Sequence, residues 1–161
     1  MMGGLAWCRP SAVFWRRAFI DFTKIHLRII DFTKKNLKIR DLKKKHTDLE
    51  LHLTGPLQTN KVKDAVKLFD VFHTLDREKL AKEFFKVAGI ENKKFFIQVN
   101  TGKEKTKSGI YLEELNQFIN YCKIDLSLNI VGLMCIPPIN DQPKKHFSLL
   151  ADEAKKNNLP H

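Results

Sequence analysis

From Leu49 onward the spacing of apolar residues alternates between two periods. Leu49, Leu51 and Leu53 alternate with Glu50, His52 and Thr54, the pattern of a half-buried strand that stops at Gly55-Pro56. Val62–Phe69 then reads as a helix, and Val71–Thr74 as a short strand. Asp76 is placed to cap a helix over Arg77–Ala88, with Leu80, Phe84 and Val87 as its buried stripe and Gly89 as its stop. Phe95–Val99 is a strand that runs into a loop, Asn100–Gly109. Leu112, Leu115, Ile119 and Cys122 mark the next helix, and Leu128–Met134 the next strand, closed by Pro137-Pro138. A last helix opens near Asp141–Pro143 and buries Phe147, Leu150, Ala151 and Ala154.

Strand and helix thus alternate four times. That rhythm predicts an α/β fold built as a partial (βα) TIM-type barrel, about four βα units with parallel strands. In such sheets ligands bind at the carboxyl ends of the strands. The segments to inspect are therefore His52–Gly55, His73–Asp76, Gln98–Gly109 and Gly132–Ile136.

Upstream the pattern differs. Residues 1–20 hold both tryptophans and three arginines, with no lysine and no acid until Asp21, and read as an atypical extension. Residues 21–46 are dominated by a tandem decapeptide, Ile20–Ile29 followed by Ile30–Ile39. Phe22, Ile25, Ile29 and Phe32 fit one helical face, although Ile25, Leu27 and Ile29 also alternate; the segment is expected to be helical or irregular. Two copies are too few for a solenoid. The barrel-like region is expected over residues 47–161.

Length sharpens the expectation. With 161 residues the chain holds one medium domain, but a complete eight-stranded α/β barrel takes about 250. Lys and Arg number 29 against 18 Asp and Glu, a formal charge of +11. That excess raises nucleic acid as a partner, but the lysines are spread along the chain and no recognition motif accompanies them, so nucleic acid is not the expected partner. No apolar run approaches the roughly 20 residues of a membrane span. Cys8, Cys122 and Cys135 are odd in number and lack C-x-x-C spacing, which favours a reducing compartment such as the cytoplasm. An Arg-rich, acid-poor start would instead suit a mitochondrial transit peptide.

The strand ends carry the candidate chemistry. His52 shares a face with Glu50 and Thr54, and Gln98 and Asn100 share one with Phe96. In a barrel these faces point inward, where a few donors orient a small polar ligand. The same residues would serve equally to satisfy loop carbonyls. The loop Thr101–Gly109 combines hydroxyls with Lys103, Lys105 and Lys107, yet lacks the spacing of a P-loop. Gln58, Asn60 and Lys61 form a second polar cluster. No Ser/His/Asp or Cys/His set is evident, so no catalytic residue is assigned, and no His pair has metal-ligand spacing.

Taken together, the strand-end segments resemble a known family. Leu51-His-Leu-Thr-Gly-Pro-Leu-Gln-Thr-Asn-Lys61 is similar to the H-x-x-G-x-L-Q-x-N-K signature of pyridoxal phosphate homeostasis proteins, single-domain relatives of the alanine racemase N-terminal barrel. Phe72–Arg77, Ile97–Asn100 with Lys107–Gly109, and Gly132–Met134 with Pro137 resemble the next three strand ends in order. The resemblance spans roughly Leu42 to Leu159. It implies a fold-type III barrel that binds pyridoxal 5'-phosphate (PLP) as a Schiff base and acts as a carrier or regulator rather than an enzyme. It places His52, Asn100 and Met134 in the cofactor pocket and Lys107 at its mouth.

The same resemblance implies losses. The family's Schiff-base lysine follows a serine at the end of the first strand, and the sequence contains no Ser-Lys pair. Lys24 and Lys34 lie in the decapeptides and match nothing. The Phe-Gly-Glu-Asn motif is absent, as are the later Gly-x-Ser and Arg-Ile-Gly strands that supply phosphate and ring-nitrogen contacts. The expectation is a truncated or degenerate copy. Its open sheet edges would favour self-association, or completion by a partner subunit.

Overall fold

The computed structural model describes residues 43–46 and 48–161. Lys43–Lys45 are helical and His46 follows them; residues 1–42, and with them the 1–20 extension and both decapeptides, lie outside the described residues. Four strands follow: β1 (His52–Leu53), β2 (Val71–Leu75), β3 (Lys94–Gln98) and β4 (Ile130–Met134). Between and after them run α1 (Val62–Leu68), α2 (Glu78–Phe85), α3 (Leu112–Asn120) and α4 (Pro143–Lys156). The strands form one sheet in the order β1-β2-β3-β4, every neighbouring pair parallel.

That order decides the architecture. Parallel crossovers share one hand, so strands laid down strictly in sequence keep all their helices on the same face. The arrangement is the singly wound, barrel-type one rather than the doubly wound type, which needs a reversal of strand order. Under the helices lies one continuous core. Phe72 is fully buried between Phe84 and Phe95, with ring centroids at 4.9 and 5.4 Å, and Phe69 closes the group at 6.3 Å. Leu51, Leu75, Leu80, Ile97, Leu115 and Ile119 extend it. The apolar alternation of β1 accordingly faces the helices. His52, His73 and Phe96 occupy the opposite, inner face, where their rings meet.

Several boundaries depart from the sequence reading. The ladder of β1 takes in only His52 and Leu53; the Leu51 carbonyl accepts from the N–H groups of Asp70 and Val71, at the entry to β2. The helix expected over Arg77–Ala88 is shorter: Arg77 is its N-cap residue and Glu78–Phe85 its body. Asp76 does not cap it. Its carboxylate is taken by the Arg77 guanidinium, which also donates to the Leu57 carbonyl at 2.9 Å. Lys86 to Gly89 form turns instead, ending at Gly89 with φ +89°, and Val87 is only partly buried. Cys122 falls in a π-helical turn, Tyr121–Asp125, beyond α3. In α4, Leu150 and Ala154 are buried and Phe147 packs against the core, but Ala151 is exposed. His146 takes the remaining buried position in α4, a polar residue where the stripe was read as apolar.

Candidate functional site at the strand ends

The loop after β3 is built around Asn100, which is buried at 5% exposure. Its amide nitrogen donates to the carbonyls of Glu104 at 2.9 Å and Lys107 at 3.4 Å, and its oxygen accepts from the Glu104 N–H at 3.2 Å. The loop returns to the strand it left: Asn100 N–H donates to Ile110 O, and Ile110 N–H to Gln98 O, both at 2.9 Å. Gln98 adds a side-chain bond to the Ser108 carbonyl at 3.0 Å. Gly109 makes this closure, with φ +130° and its α-carbon against the Val99–Asn100 backbone, where a methyl group would collide. Asn100 and Gln98 therefore shape the mouth by holding its loop.

Lys107 reaches across that mouth. Its ammonium pairs with the Glu104 carboxylate at 2.6 Å and donates to the Pro137 carbonyl at 3.4 Å, beyond the end of β4. Lys103 is held by Glu113 at the start of α3 and keeps that carboxyl below its usual range. Met134 is half-buried; its carbonyl accepts the Val99 N–H at 2.7 Å, and its register partner is Gln98. Asn100, Lys107 and Met134 thus come together at the carboxyl ends of β3 and β4.

His52 does not join them. It is level with Val71 and, through β2, with Lys94. Gln98 and Met134 lie four residues further along the strands, about 13 Å at strand rise. His52 belongs to a separate row on the inner face. Its Nδ1 lies 2.9 Å from His73 Nε2 and its Nε2 3.3 Å from Glu50 Oε1, while the other Glu50 oxygen binds Lys94 at 2.9 Å. The His73 ring lies flat on Phe96, centroids 4.3 Å apart and planes 8° apart. His161 stacks on Phe96 from further along at 6.2 Å.

One contact at the mouth escaped the sequence. His146 of α4 joins Thr101 Oγ1 at 2.8 Å through Nδ1 and Asp141 Oδ2 at 3.0 Å through Nε2. The Gln142 N–H and His146 hold the Asp141 carboxyl below its usual range. Thr101 also bonds the Cys135 thiol, which burial nevertheless pushes up. The group clamps the loops after β3 and β4 to one another. Its signal was present in the sequence only as a histidine on the apolar side of a helix.

At the mouth, Lys103 and Lys107 are each paired with a carboxylate. Thr54 Oγ1, just past the end of β1, is buried and has no hydrogen-bond partner among the described residues, so a donor or acceptor of a bound molecule would satisfy it. Lys107, in contrast, is already neutralised by Glu104. A lysine poised to form a Schiff base needs an apolar setting that lowers its affinity for a proton. Lys107 sits in an ion pair. For PLP, the described residues fit the ring's polar edge but supply neither a poised lysine nor a cationic cup for the phosphate.

A sequential parallel sheet, with helices on one face and polar strand ends gathered at one rim, defines a barrel-type α/β domain of the kind that holds small ligands at its mouth. Comparison with known proteins narrows the class. Residues 33–156 match the alanine racemase N-terminal domain family, and the chain belongs to that family. It is 40% identical over 99 residues to the pyridoxal phosphate homeostasis protein of Aquifex aeolicus, covering 60% of this chain and 43% of the relative. With the Escherichia coli K12 protein of the same name it shares 33% identity over 122 residues, 71% of this chain and 52% of the relative. Among solved structures, PipY of Synechococcus elongatus determined without PLP superposes with a TM-score of 0.60 at 26% identity, covering 78% of this chain and 64% of that one. The PLP-bound form of PipY gives a TM-score of 0.62 at 24% identity, over 79% and 63% of the two chains. The chain spans about half the length of the curated relatives it matches.

Proposed function

We propose that the chain is a PLP-binding homeostasis protein of the non-catalytic kind, and that the strand-end rim is its cofactor face. The observation that carries this reading is positional. The four segments that resemble the family's motifs fall at the ends of four consecutive parallel strands, on the side where barrels bind their ligands. Relatives bearing the pyridoxal phosphate homeostasis name, and a PipY structure with PLP bound, support it. His52, Asn100, Lys107 and Met134 are the proposed lining. Asn100 acts through the loop it holds, and His52 through the inner-face row rather than the rim itself.

The proposal extends to how the cofactor is held. With Lys107 paired to Glu104, the rim binds through polar contacts, and a covalent lysine link is not expected from the described residues. Incubating the purified chain with PLP, reducing with borohydride and weighing the intact protein tests this. The expected result is saturable PLP absorbance with no stoichiometric adduct. A single phosphopyridoxyl group on one lysine at full occupancy would overturn the non-covalent part, and absence of any PLP binding would overturn the whole reading.

Nucleic acid remains the weaker partner. Among the described residues, lysines 43, 67, 82, 86, 93, 94, 103, 107, 145 and 156 each lie beside a carboxylate, which leaves these ten little uncompensated charge for a phosphate backbone. Self-association is the second proposed partner. Among the described residues β1 and β4 are the outer strands of the sheet, and outer strands offer pairing groups to a further chain. Sedimentation velocity checks it, with a dimer expected and a concentration-independent monomer contradicting it.

A further inference from the structure

His146 is a polar residue on the core-facing stripe of α4, with 4% of its surface exposed. Both ring nitrogens are engaged: Nε2 lies 3.0 Å from Asp141 Oδ2, and Nδ1 lies 2.8 Å from Thr101 Oγ1. Asp141, held below the usual carboxyl range, is ionised and can only accept. Its Oδ1 takes the Gln142 N–H at 2.7 Å, and its Oδ2 takes the proton on His146 Nε2. In the neutral ring that leaves Nδ1 bare, so the Thr101 hydroxyl donates to it. The Thr101 oxygen in turn accepts from the Cys135 thiol, which burial keeps protonated.

Each bond thereby has a direction, from thiol to hydroxyl, from hydroxyl to imidazole, and from imidazole to carboxylate. The chain of bonds joins the loop after β3 (Thr101), the segment after β4 (Cys135 and Asp141) and α4 (His146). That helix is itself anchored, with Leu150 and Ala154 buried and Phe147 packed on the core. Two other contacts cross between the loops. Lys107 reaches the Pro137 carbonyl at 3.4 Å from a side chain 31% exposed, a long bond open to water. Gly102 lies so close to Pro138 that a β-carbon there would come within 2.4 Å of the proline ring. That second contact has shape but no direction. Of the three, the His146 chain is the buried and directional one, and it is the one that ties both loops to the helix layer.

We propose that His146 is a positioning residue: it locks the loops after β3 and β4 into one unit on α4, and so sets the span of the rim that holds PLP. The PLP clause rests on the cofactor reading above, whereas the coupling of the two loops rests on side-chain geometry alone. His146 acts through others. Thr101 follows Asn100 at the end of β3, and Cys135 follows Met134 at the end of β4. A clasp between positions 101 and 135 therefore fixes the separation of the two strand ends where Asn100, Lys107 and Met134 gather. A site held this way keeps its geometry only while the supporting bonds hold.

The test compares Thr101→Val, which removes the hydroxyl and keeps the shape, with His146→Leu, which removes both ring bonds, and with the double variant. His146→Gln is the rescue, since its amide offers an acceptor and a donor at similar spacing. PLP titration and hydrogen exchange over residues 101–107 and 136–142 are read on each, and urea unfolding shows that each is folded. Thr101→Val and His146→Leu should each weaken PLP binding about tenfold and speed exchange in both loops at least tenfold, because a buried chain broken at either link fails as a whole. The double variant should bind no worse than the poorer single one, and His146→Gln should recover most of the loss. Exchange that rises in 101–107 alone after Thr101→Val, losses that multiply in the double variant, a glutamine no better than leucine, or opened loops with PLP affinity unchanged would each overturn the proposal. If the unaltered chain binds no PLP, the cofactor reading falls and takes the PLP clause with it, while exchange in the two loops still decides whether His146 couples them.

Discussion

Replacing Asn100 by alanine separates a residue that holds the rim from one that merely lines it. The side chain makes two good hydrogen bonds to the loop backbone, at 2.9 and 3.2 Å, and a longer one at 3.4 Å. An intramolecular hydrogen bond is worth about 1 kcal/mol net, and a buried partner left unpaired adds its desolvation cost. Loop atoms near the rim regain water when the side chain is lost, which limits the second effect. The expected destabilisation is therefore about 2 kcal/mol, not the 4 or more of a collapsed core. It should be local first. The backbone closures at Gln98, Asn100 and Ile110 remain, so the loop opens between pinned ends.

Hydrogen exchange tests this directly. The Glu104 N–H, held by Asn100 Oδ1, and the Lys107 N–H, which bonds the Glu104 carbonyl at 3.1 Å, should lose protection at least tenfold. The Phe95 and Val99 amides inside the sheet should change little. PLP affinity should fall in the same variant, and at least as far in Asn100→Asp, whose second carboxylate oxygen would face the Glu104 and Lys107 carbonyls as acceptor against acceptor. Unchanged exchange at 104 and 107 with lost PLP affinity would show that Asn100 touches the ligand itself and would refute the loop-holding argument.

Phe72→Ala should cost about 3–5 kcal/mol in urea unfolding, since it empties a fully buried position ringed by Phe69, Phe84 and Phe95. Asp70 should control acid stability. Burial raises the pKa of its carboxyl, but the Leu51 N–H, Lys43 and Lys93 outweigh burial and hold the group below 3.8. Its contribution is therefore complete above that unfolded value and lost as pH falls through the lower folded one; Asp70→Asn should flatten the acid limb of a stability-versus-pH curve below pH 4. Cys122, whose thiol burial and the Glu78 charge push up to about 12, should resist alkylation at pH 8 in the folded protein and react on unfolding, as read by peptide mapping.

The elements were legible where their period was long and their burial one-sided. β3, β4, α3 and α4 fall within a residue or two of expectation, because each places apolar residues against the same core. Asp76 misled for a local reason. A capping residue competes for its carboxylate with any cation in reach, and the adjacent Arg77 guanidinium won, delaying the helix to Glu78. The site was legible in part. Parity within a strand put His52 with Glu50, and Asn100 with Gln98, correctly on their faces. Distance between strands was not legible, since parallel register is set by crossover packing that a single sequence does not display. His52 was accordingly grouped with residues about 13 Å further along the sheet. His146 was missed because one polar residue on an apolar helix stripe looks the same whether it clamps a neighbour or idles.

The inner face explains why this sheet can be read as a site at all. A parallel sheet ordinarily buries both faces, so its strands are apolar throughout. Here the helix side follows that rule and the inner side does not. Across β1, β2, β3 and the residues leading into β1, the inner side carries Glu50, His52, His73, Lys94, Phe96 and Gln98, joined by ion pairs, ring stacking and hydrogen bonds. Such a row costs stability relative to leucine and valine unless each polar atom is paired, and the pairing is what fixes the side chains in place. A surface of positioned donors and acceptors suits a small polar ligand, whereas a greasy one would suit only further sheet. Gly132 shows the same economy on β4: without a side chain it leaves room for Phe96 and His161, and Leu133 N–H donates to the His161 carbonyl at 3.2 Å. A larger residue at position 132 would meet the Phe96 ring that lies on His73, so packing on β4 reaches β2 through an aromatic side chain.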